Sequence, residues 1–272
     1  MAYSVEFFPP KNAAGEERLR ETLRVLKPLK PEFASVTYGA GGSTRELTYA
    51  TVAMIRQDYD LEAVPHLSCI GSTEDGIREI LESYRALGIQ KIVALRGDLP
   101  EGMTNPGYFE YAADLVAFIH QFGGFEIYVA GYPEIHPRAV SAPDDIQHLV
   151  EKVQAGADSI ITQYFYNPDA YWQLRDDLQK RGIDVPIIVG VMPITNFEQI
   201  TRFSAMCGAE LPQYLRRRME AYGDDLQSQI QFGIELLSRQ CEHLLAQGAP
   251  SLHFYTLNQH EATAAIWQNL GR

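Results

Sequence analysis

Cysteine is scarce in this chain. There are three in 272 residues, Cys69, Cys207 and Cys241, widely spaced and odd in number. That leaves neither a disulfide framework nor the paired spacing of a structural zinc site. Each reads as a small buried hydrophobe in a reducing compartment. Long apolar runs are missing too, since none approaches the ~20 residues that a membrane-spanning helix needs. Positive charge is in deficit, with 23 Lys and Arg against 35 Asp and Glu and a net charge of −12. Binding to a phosphate backbone needs concentrated basic surface, so no nucleic-acid partner is expected. The one compact basic run, Arg216, Arg217 and Arg218, points in different directions around a helix and reads as a solvated face. The opening MAYSVEFF reads as a strand rather than a secretion leader. A cytoplasmic protein without membrane attachment is the expectation.

What the chain does have is length and alternation. At 272 residues it is close to the roughly 250 of a (β/α)8 barrel, and 46% hydrophobic residues can supply a large core. Strands are expected at Ser4 to Phe7, Phe33 to Thr37, Ala63 to Ser68 and Lys91 to Leu95. Four more are expected at Glu126 to Ala130, Ser159 to Thr162, Pro186 to Val189 and His253 to Thr256. Between them run apolar stripes at helical spacing. Ile77, Ile80, Leu81, Tyr84 and Leu87 form one, and Tyr111, Leu115, Phe118, Ile119 and Phe122 another. Ile146, Leu149, Val150 and Val153 form a third. Eight strands separated by helices imply parallel βαβ units. The fold class is therefore α/β, a (β/α)8 TIM barrel formed by residues 1–272 as a single domain. The interval from Asn196 to Gly248 is about twice the usual helical allowance. Leu226, Ile230, Gly233, Leu237, Cys241 and Leu244 predict a long helix in its second half, an extra helical segment between strands seven and eight. No repeat or linker divides the chain.

In such barrels the loops after the strands gather around one mouth, so reactive groups are sought there. Strand one delivers Glu6, followed by Phe7 and Phe8, and strand two delivers Thr37 and Tyr38 before the run Gly39, Ala40, Gly41 and Gly42. Strand three ends near His66, strand four in Arg96, Gly97 and Asp98, and strand five in Tyr132. Strand six ends at Gln163, strand seven at Met192 and Pro193, and strand eight near Tyr255, Thr256, Leu257 and Asn258. Singly, each has a structural use: Glu6 as partner of a lysine, His66 as a hydrogen-bonded framework residue, Arg96 and Asp98 as an ion pair. The glycine run is no dinucleotide fingerprint, because Thr44 stands where a third glycine is required. Its glycines still allow close backbone approach, and the following helix offers N–H groups to an anion. Together the strand ends bring an acid, a histidine, an arginine and an amide, with no nucleophile paired to a base and no metal-ligand cluster. That set suits holding a cofactor.

Seven segments in order, one per strand for seven of the eight strands, make the chain recognisable. They are VEFFPPK, SVTYGAGG, PHLSC, VALRGDLP, YPEIHP, ITQYFY and HFYTLN. The series resembles that of the methylenetetrahydrofolate reductases and spans essentially the whole chain. The resemblance implies FAD-dependent reduction of 5,10-methylenetetrahydrofolate to 5-methyltetrahydrofolate, with NAD(P)H as electron donor, in one-carbon metabolism and methionine synthesis. It also implies ping-pong hydride transfer through the flavin, and a homo-oligomer. By resemblance Thr37, Tyr38, Ala40, His66, Arg96, Gly97, Asp98, Tyr111, Ala112, Tyr132, His136, Ala139, Asp145 and Lys152 would line the FAD site. Asp98, Gln163, Gln199 and Phe203 would meet the substrate, with Asp98 also counted as catalytic. Phe203 alone also reads as a helix-core residue beside Phe197 and Ile200.

Opening the methylene bridge of the folate requires a proton on the leaving nitrogen. Glu6 is the expected general acid, its pKa raised by the apolar company of Phe7 and Phe8. The chain departs from the family pattern at Gln259, where arginine usually follows HFYTLN, and at His148 and Glu151 near the adenosine end of the cofactor. A pterin-dependent methyltransferase barrel and a proline-oxidising flavin barrel are the alternative readings of such a mouth. Flavin absorbance would exclude the first.

Overall fold

Sequence alternation translates directly into the inside and outside of a barrel. The computed structural model describes residues 3–38, 42–99 and 105–271. Eight strands form, β1 Ser4–Phe7, β2 Ala34–Val36, β3 Ala63–Ser68, β4 Lys91–Leu95, β5 Glu126–Gly131, β6 Ser159–Thr162, β7 Ile187–Val191 and β8 Leu252–Tyr255. They match the expected strands to within a residue or two at each end. All pair in parallel, each with its neighbour in sequence, and β8 returns to β1 to close the barrel. The expected (β/α)8 architecture is present. Closure fixes the register that matters most below, with Ser4 opposite His253, Glu6 opposite Tyr255 on one side, and Glu6 opposite Ser35 on the other.

Side chains alternate along each strand. On β1, Val5 and Phe7 face outward into the core shared with the helices, while Ser4 and Glu6 face the bore. The lower bore is filled by Phe33, Val64, Val93, Tyr128, Ile161 and Ile188, all buried. Lys91 closes that end, its ammonium 5.5 Å from the Phe33 ring centroid and held by Glu32 at 3.3 Å and Glu126 at 3.5 Å.

The helices around the barrel are α1 Ala13–Leu26, α2 Gly42–Tyr59, α3 Glu74–Ala86, α4 Ala112–Phe122, α5 Ala142–Gln154 and α6 Pro168–Lys180. They continue as α7 Phe197–Cys207, α8 Gln213–Tyr222, α9 Leu226–Ala246 and α10 Glu261–Asn269. The apolar stripes predicted on α3 and α5 are the buried faces, with Ile77, Ile80, Leu81 and Tyr84 on one and Leu149 and Val150 on the other. Tyr111 is not on the α4 stripe but caps the helix, half exposed. The long interval between β7 and β8 holds α7, α8 and α9, the last being the predicted long helix, with Gly233, Leu237, Cys241 and Leu244 buried. Asn196 caps α7 by accepting from the Gln199 N–H at 2.8 Å. Gln229 on α9 ties the segment together, accepting from the Phe197 N–H at 2.9 Å and donating to the Gly223 carbonyl at 2.6 Å. These bonds fix where α7 starts, and so where its inner face meets the mouth.

Candidate active site

Polar residues at inward positions of β8, β1, β2 and β3 converge on one carboxylate oxygen. Glu6 Oε2 lies 3.3 Å from His66 Nε2 and 3.5 Å from His253 Nε2, and accepts from the Ser35 hydroxyl at 3.5 Å. The partners of Glu6 are thus histidines and not a lysine. Behind it His253 is fully buried, its Nδ1 2.7 Å from Ser4 Oγ and its Nε2 3.3 Å from Ser35 Oγ.

Burial alone would raise the Glu6 pKa. The positive field of His66, with hydrogen bonds from His253 and His66, outweighs burial and brings the value from 4.5 down to about 2. The sequence expectation had the opposite sign, and strand alternation explains why. Phe7 turns outward into the helix layer, and Phe8 stands at the rim, 42% exposed. What shares the bore with Glu6 is two imidazoles, whose hydrogen-bonding atoms no reading of adjacent residues reveals. The His253 pKa is lowered too, there by burial, with the contacts to Glu6 opposing the shift and the charge of His66 adding to it.

The facing wall is mostly apolar. Glu6, Thr37, Tyr38, His66, Tyr132, Gln163 and Phe203 line one cavity of about 480 Å3, together with Val93, Leu95, Ala130 and Ile161. Tyr255 crosses the bore beneath them and donates to the Thr162 carbonyl at 2.6 Å. Gly190 on β7 makes this crossing possible. A Cβ there would overlap the Thr162 oxygen and lie 2.8 Å from the Tyr255 ring.

Thr37 and Tyr38 follow β2, and the other described residues expected around a cofactor lie from β3 to α5. Gly97 has φ of +83°, and a Cβ on it would overlap Ser68 Oγ, so the turn after β4 admits glycine and little else. Arg96 and Asp98 do not pair with each other. Arg96 donates through Nε to the Glu110 carbonyl at 2.8 Å, and Asp98, exposed at the rim, binds Arg138 at 2.9 Å. His136 packs edge-on against Tyr132, with centroids 4.5 Å apart, and its N–H donates to Asp145 at 2.9 Å. The Ala139 N–H closes the same turn on the His136 carbonyl at 2.9 Å. Lys152 donates to the Ala130 carbonyl at 2.6 Å, and burial lowers its pKa to about 8. Tyr111 and Ala112 begin α4 at the outer edge, where Tyr111 stacks on His148 at 5.9 Å. Gln199 sits in the first turn of α7, one helical turn before Phe203, which lines the cavity. Ala40 and the neighbouring Gly39 and Gly41 lie outside the described residues.

Two more open grooves are larger, at about 770 Å3 beside α7 and α9 and about 720 Å3 beside α1 and α10. Neither reaches the strand ends where the polar groups converge. Among the described residues no group of histidine, cysteine and carboxylate side chains is placed to hold a metal, and no helix is long and apolar enough to cross a membrane.

The model of the family described as methylenetetrahydrofolate reductase matches residues 1–271. The chain belongs to that family. It is 41% identical over 268 residues to the 5,10-methylenetetrahydrofolate reductase of Salmonella typhimurium, covering 98% of this chain and 90% of the relative. The Pectobacterium carotovorum enzyme of the same name is 40% identical, with 98% and 89% covered. Methylenetetrahydrofolate reductase (NADH) 1 of Arabidopsis thaliana is 38% identical over 99% of this chain, which corresponds to 48% of the plant protein. Reduction of 5,10-methylenetetrahydrofolate is the activity that comes with this membership. Among solved structures, a protein from Clostridium thermocellum that binds two copies of 5-methyl-5,6,7,8-tetrahydrofolic acid superposes with a TM-score of 0.64 at 15% identity, over 98% of this chain and 94% of that one. Oxaloacetate acetylhydrolase superposes at 0.55 with 11% identity, covering 100% and 81%. Those two show the shared barrel alone, a fold that hosts unrelated chemistries.

Family motifs name Glu6 and His66, but His253, Ser4 and Ser35 escaped the sequence reading. Their signal was available as polar residues at every second place on strands that adjoin through closure: Ser4 and Glu6 on β1, Ser35 on β2, His253 on β8. Met206 and Cys207, which α7 brings to the cavity, carry no such local signal.

Proposed function

We propose that this chain reduces 5,10-methylenetetrahydrofolate with FAD as bound carrier and NAD(P)H as donor, in alternating half-reactions at the one cavity. Residues 1–272 act as the catalytic domain, and several copies assemble. The observation that carries the reading is the cavity itself, with a carboxylate and a histidine on one wall and a largely apolar wall opposite. Its residues fit a flavin. His66 Nε2 is buried at the cavity wall, with Glu6 Oε2 3.3 Å away but out of line for a full hydrogen bond, so the nitrogen can still serve a ligand. Val93, Leu95, Ala130 and Ile161 offer a smooth apolar surface to a flat ring, and Tyr132 offers an aromatic face. Arg96 and Lys152 supply cationic donors of the kind that hold phosphate oxygens. A bound FAD would accept hydride from the nicotinamide and deliver it to the folate methylene.

The protein's own part is positioning and proton supply. Gln163, at the end of β6, offers an amide to a pterin or a carboxamide, and Phe203 offers a ring to stack on either. Glu6 faces the cavity where the leaving nitrogen must gain its proton. The visible spectrum of the purified protein tests the cofactor, with flavin bands expected. Oxidation of NADH and of NADPH, each with and without methylenetetrahydrofolate, tests the reaction. Folate-dependent oxidation supports the reading, and a colourless protein inert to both nucleotides overturns it. Light scattering tests the assembly.

A further inference from the structure

Phe203 can stack on a ligand only if α7 holds its ring at a set height and angle. A helix turned by about 20° on its axis swings a ring about 7 Å from that axis by roughly 2.5 Å. That is well beyond the gap at which dispersion contact is lost. Whatever stops α7 from turning therefore belongs to the site. Resting on the reading of Phe203 as the ring that meets folate and nicotinamide, we propose that the Tyr164 hydroxyl latches α7 to the end of β6. Tyr164 is then the positioning residue for Phe203.

The buried residues of α7 are Ile200 and Ser204, with Phe197, Phe203 and Cys207 partly covered. Packing of an aliphatic side chain sets how close the helix lies, but a hydrogen bond is directional and resists rotation. Asn196 and Gln229 supply such bonds where α7 begins. Further along, the bond comes from Tyr164, two residues past the end of β6. Its oxygen lies 3.1 Å from Ser204 Oγ, and both residues are only 3% exposed. The same hydroxyl hydrogen-bonds the side chain of Cys207. Ser204 and Cys207 are three apart and share one face of the helix, so Tyr164 grips α7 over a full turn. Phe203 is the chain neighbour of Ser204, and it lines the cavity together with Tyr164 and Cys207.

Tyr164 serves a second ligand-facing group as well. Its backbone N–H donates to the Gln163 side-chain oxygen at 3.0 Å, which fixes that amide at the cavity wall. The tyrosine is itself braced, with its ring edge-on to Tyr166 at 5.8 Å and to Tyr255 at 6.5 Å. A phenylalanine would keep those ring contacts and the backbone bond to Gln163. Only the grip on α7 depends on the hydroxyl.

Steady-state kinetics of the flavin-loaded protein test the latch. Tyr164→Phe should raise KM for methylenetetrahydrofolate and for the nicotinamide donor roughly three- to tenfold each, with kcat within about twofold. Ser204→Ala should do the same, and the two together should do no more than either alone. In a Phe203→Ala background Tyr164→Phe should add nothing, since the ring that it positions is gone. A second readout needs neither turnover nor flavin. Ser204→Ala leaves Tyr164 and Cys207 in place, yet a thiol reagent should label Cys207 several-fold faster as α7 loosens. The buried Cys69 and Cys241 serve as internal controls. If Phe203→Ala raises both KM values while Tyr164→Phe and Ser204→Ala alter neither KM nor labelling, the latch is refuted and Phe203 keeps its role. Equal effects of Tyr164→Phe with and without the Phe203 ring would also overturn it, because the tyrosine would then act by another route. If Phe203→Ala changes no KM, the reading of that ring falls and the latch falls with it.

Discussion

The two walls of the bore differ in kind. From β8 through β3 the inward residues include Ser4, Glu6, Ser35, His66 and His253, linked by contacts of 2.7 to 3.5 Å. From β4 through β6 the inward residues around the cavity include Val93, Leu95, Ala130 and Ile161. Proton transfer needs groups that can be charged and are held at hydrogen-bonding distance. A flat conjugated ring needs smooth contact and no competing charge. One barrel provides both because its strands are independent in sequence but share one interior. The difference teaches that site chemistry here is assigned by strand, with Tyr255 and Gly190 at the boundary between the two halves.

The largest effect expected from breaking this division comes from the polar wall. Glu6→Gln keeps shape and hydrogen bonding but removes the acid. The folate half-reaction should fall roughly 10²–10⁴-fold, with nicotinamide oxidation and flavin content unchanged. Equal slowing of both half-reactions, measured by rapid mixing, would mean that the walls do not divide the labour. On the apolar wall, Ala130→Leu fills space where a ring would lie. Flavin occupancy on purification should drop by about tenfold, equivalent to about 1.4 kcal/mol, with little change in folding. Absorbance ratios and a melting curve separate the two.

A third test uses acid. The Glu6 pKa is lowered by folding, so its contribution to stability is complete above about 4.5 and is lost as the pH falls toward about 2. The lowered pKa of His253 acts in the same direction, its contribution being complete above 6.5 and fading below that value. Wild-type Tm should therefore fall more steeply than that of Glu6→Gln below about pH 4.5, the window that belongs to Glu6, and parallel Tm curves there would sink the electrostatic account. The smallest effect lies outside the bore, at Gln259 beside the groove lined by Arg18 and His260. Gln259→Arg should tighten binding of polyglutamated folates by less than about 1 kcal/mol and make it more salt-dependent. Identical Kd values at low salt would end this idea.

The barrel was legible because each strand carried its own local signal, and the eight β-branched or aromatic runs paired in sequence order. The site was legible by motif at Glu6, His66, Tyr132 and Gln163, all of which meet in one cavity. What stayed hidden depends on contacts between residues far apart in sequence. The sign of the Glu6 pKa shift is set first by His66 on β3 and then by His253, 247 positions away, while its chain neighbour Phe7 points elsewhere. Likewise Arg96 and Asp98, two positions apart, suggested an ion pair, yet each turns to a different loop.

The tyrosine that spans the bore has one more consequence. With Tyr255 bonded across to β6 and the lower bore packed with Phe33, Tyr128 and Ile188, the cavity has a floor of side chains and is reached from the strand-end side. A ligand resting on that floor is therefore bounded below by the fold itself, and its depth is set by one tyrosine.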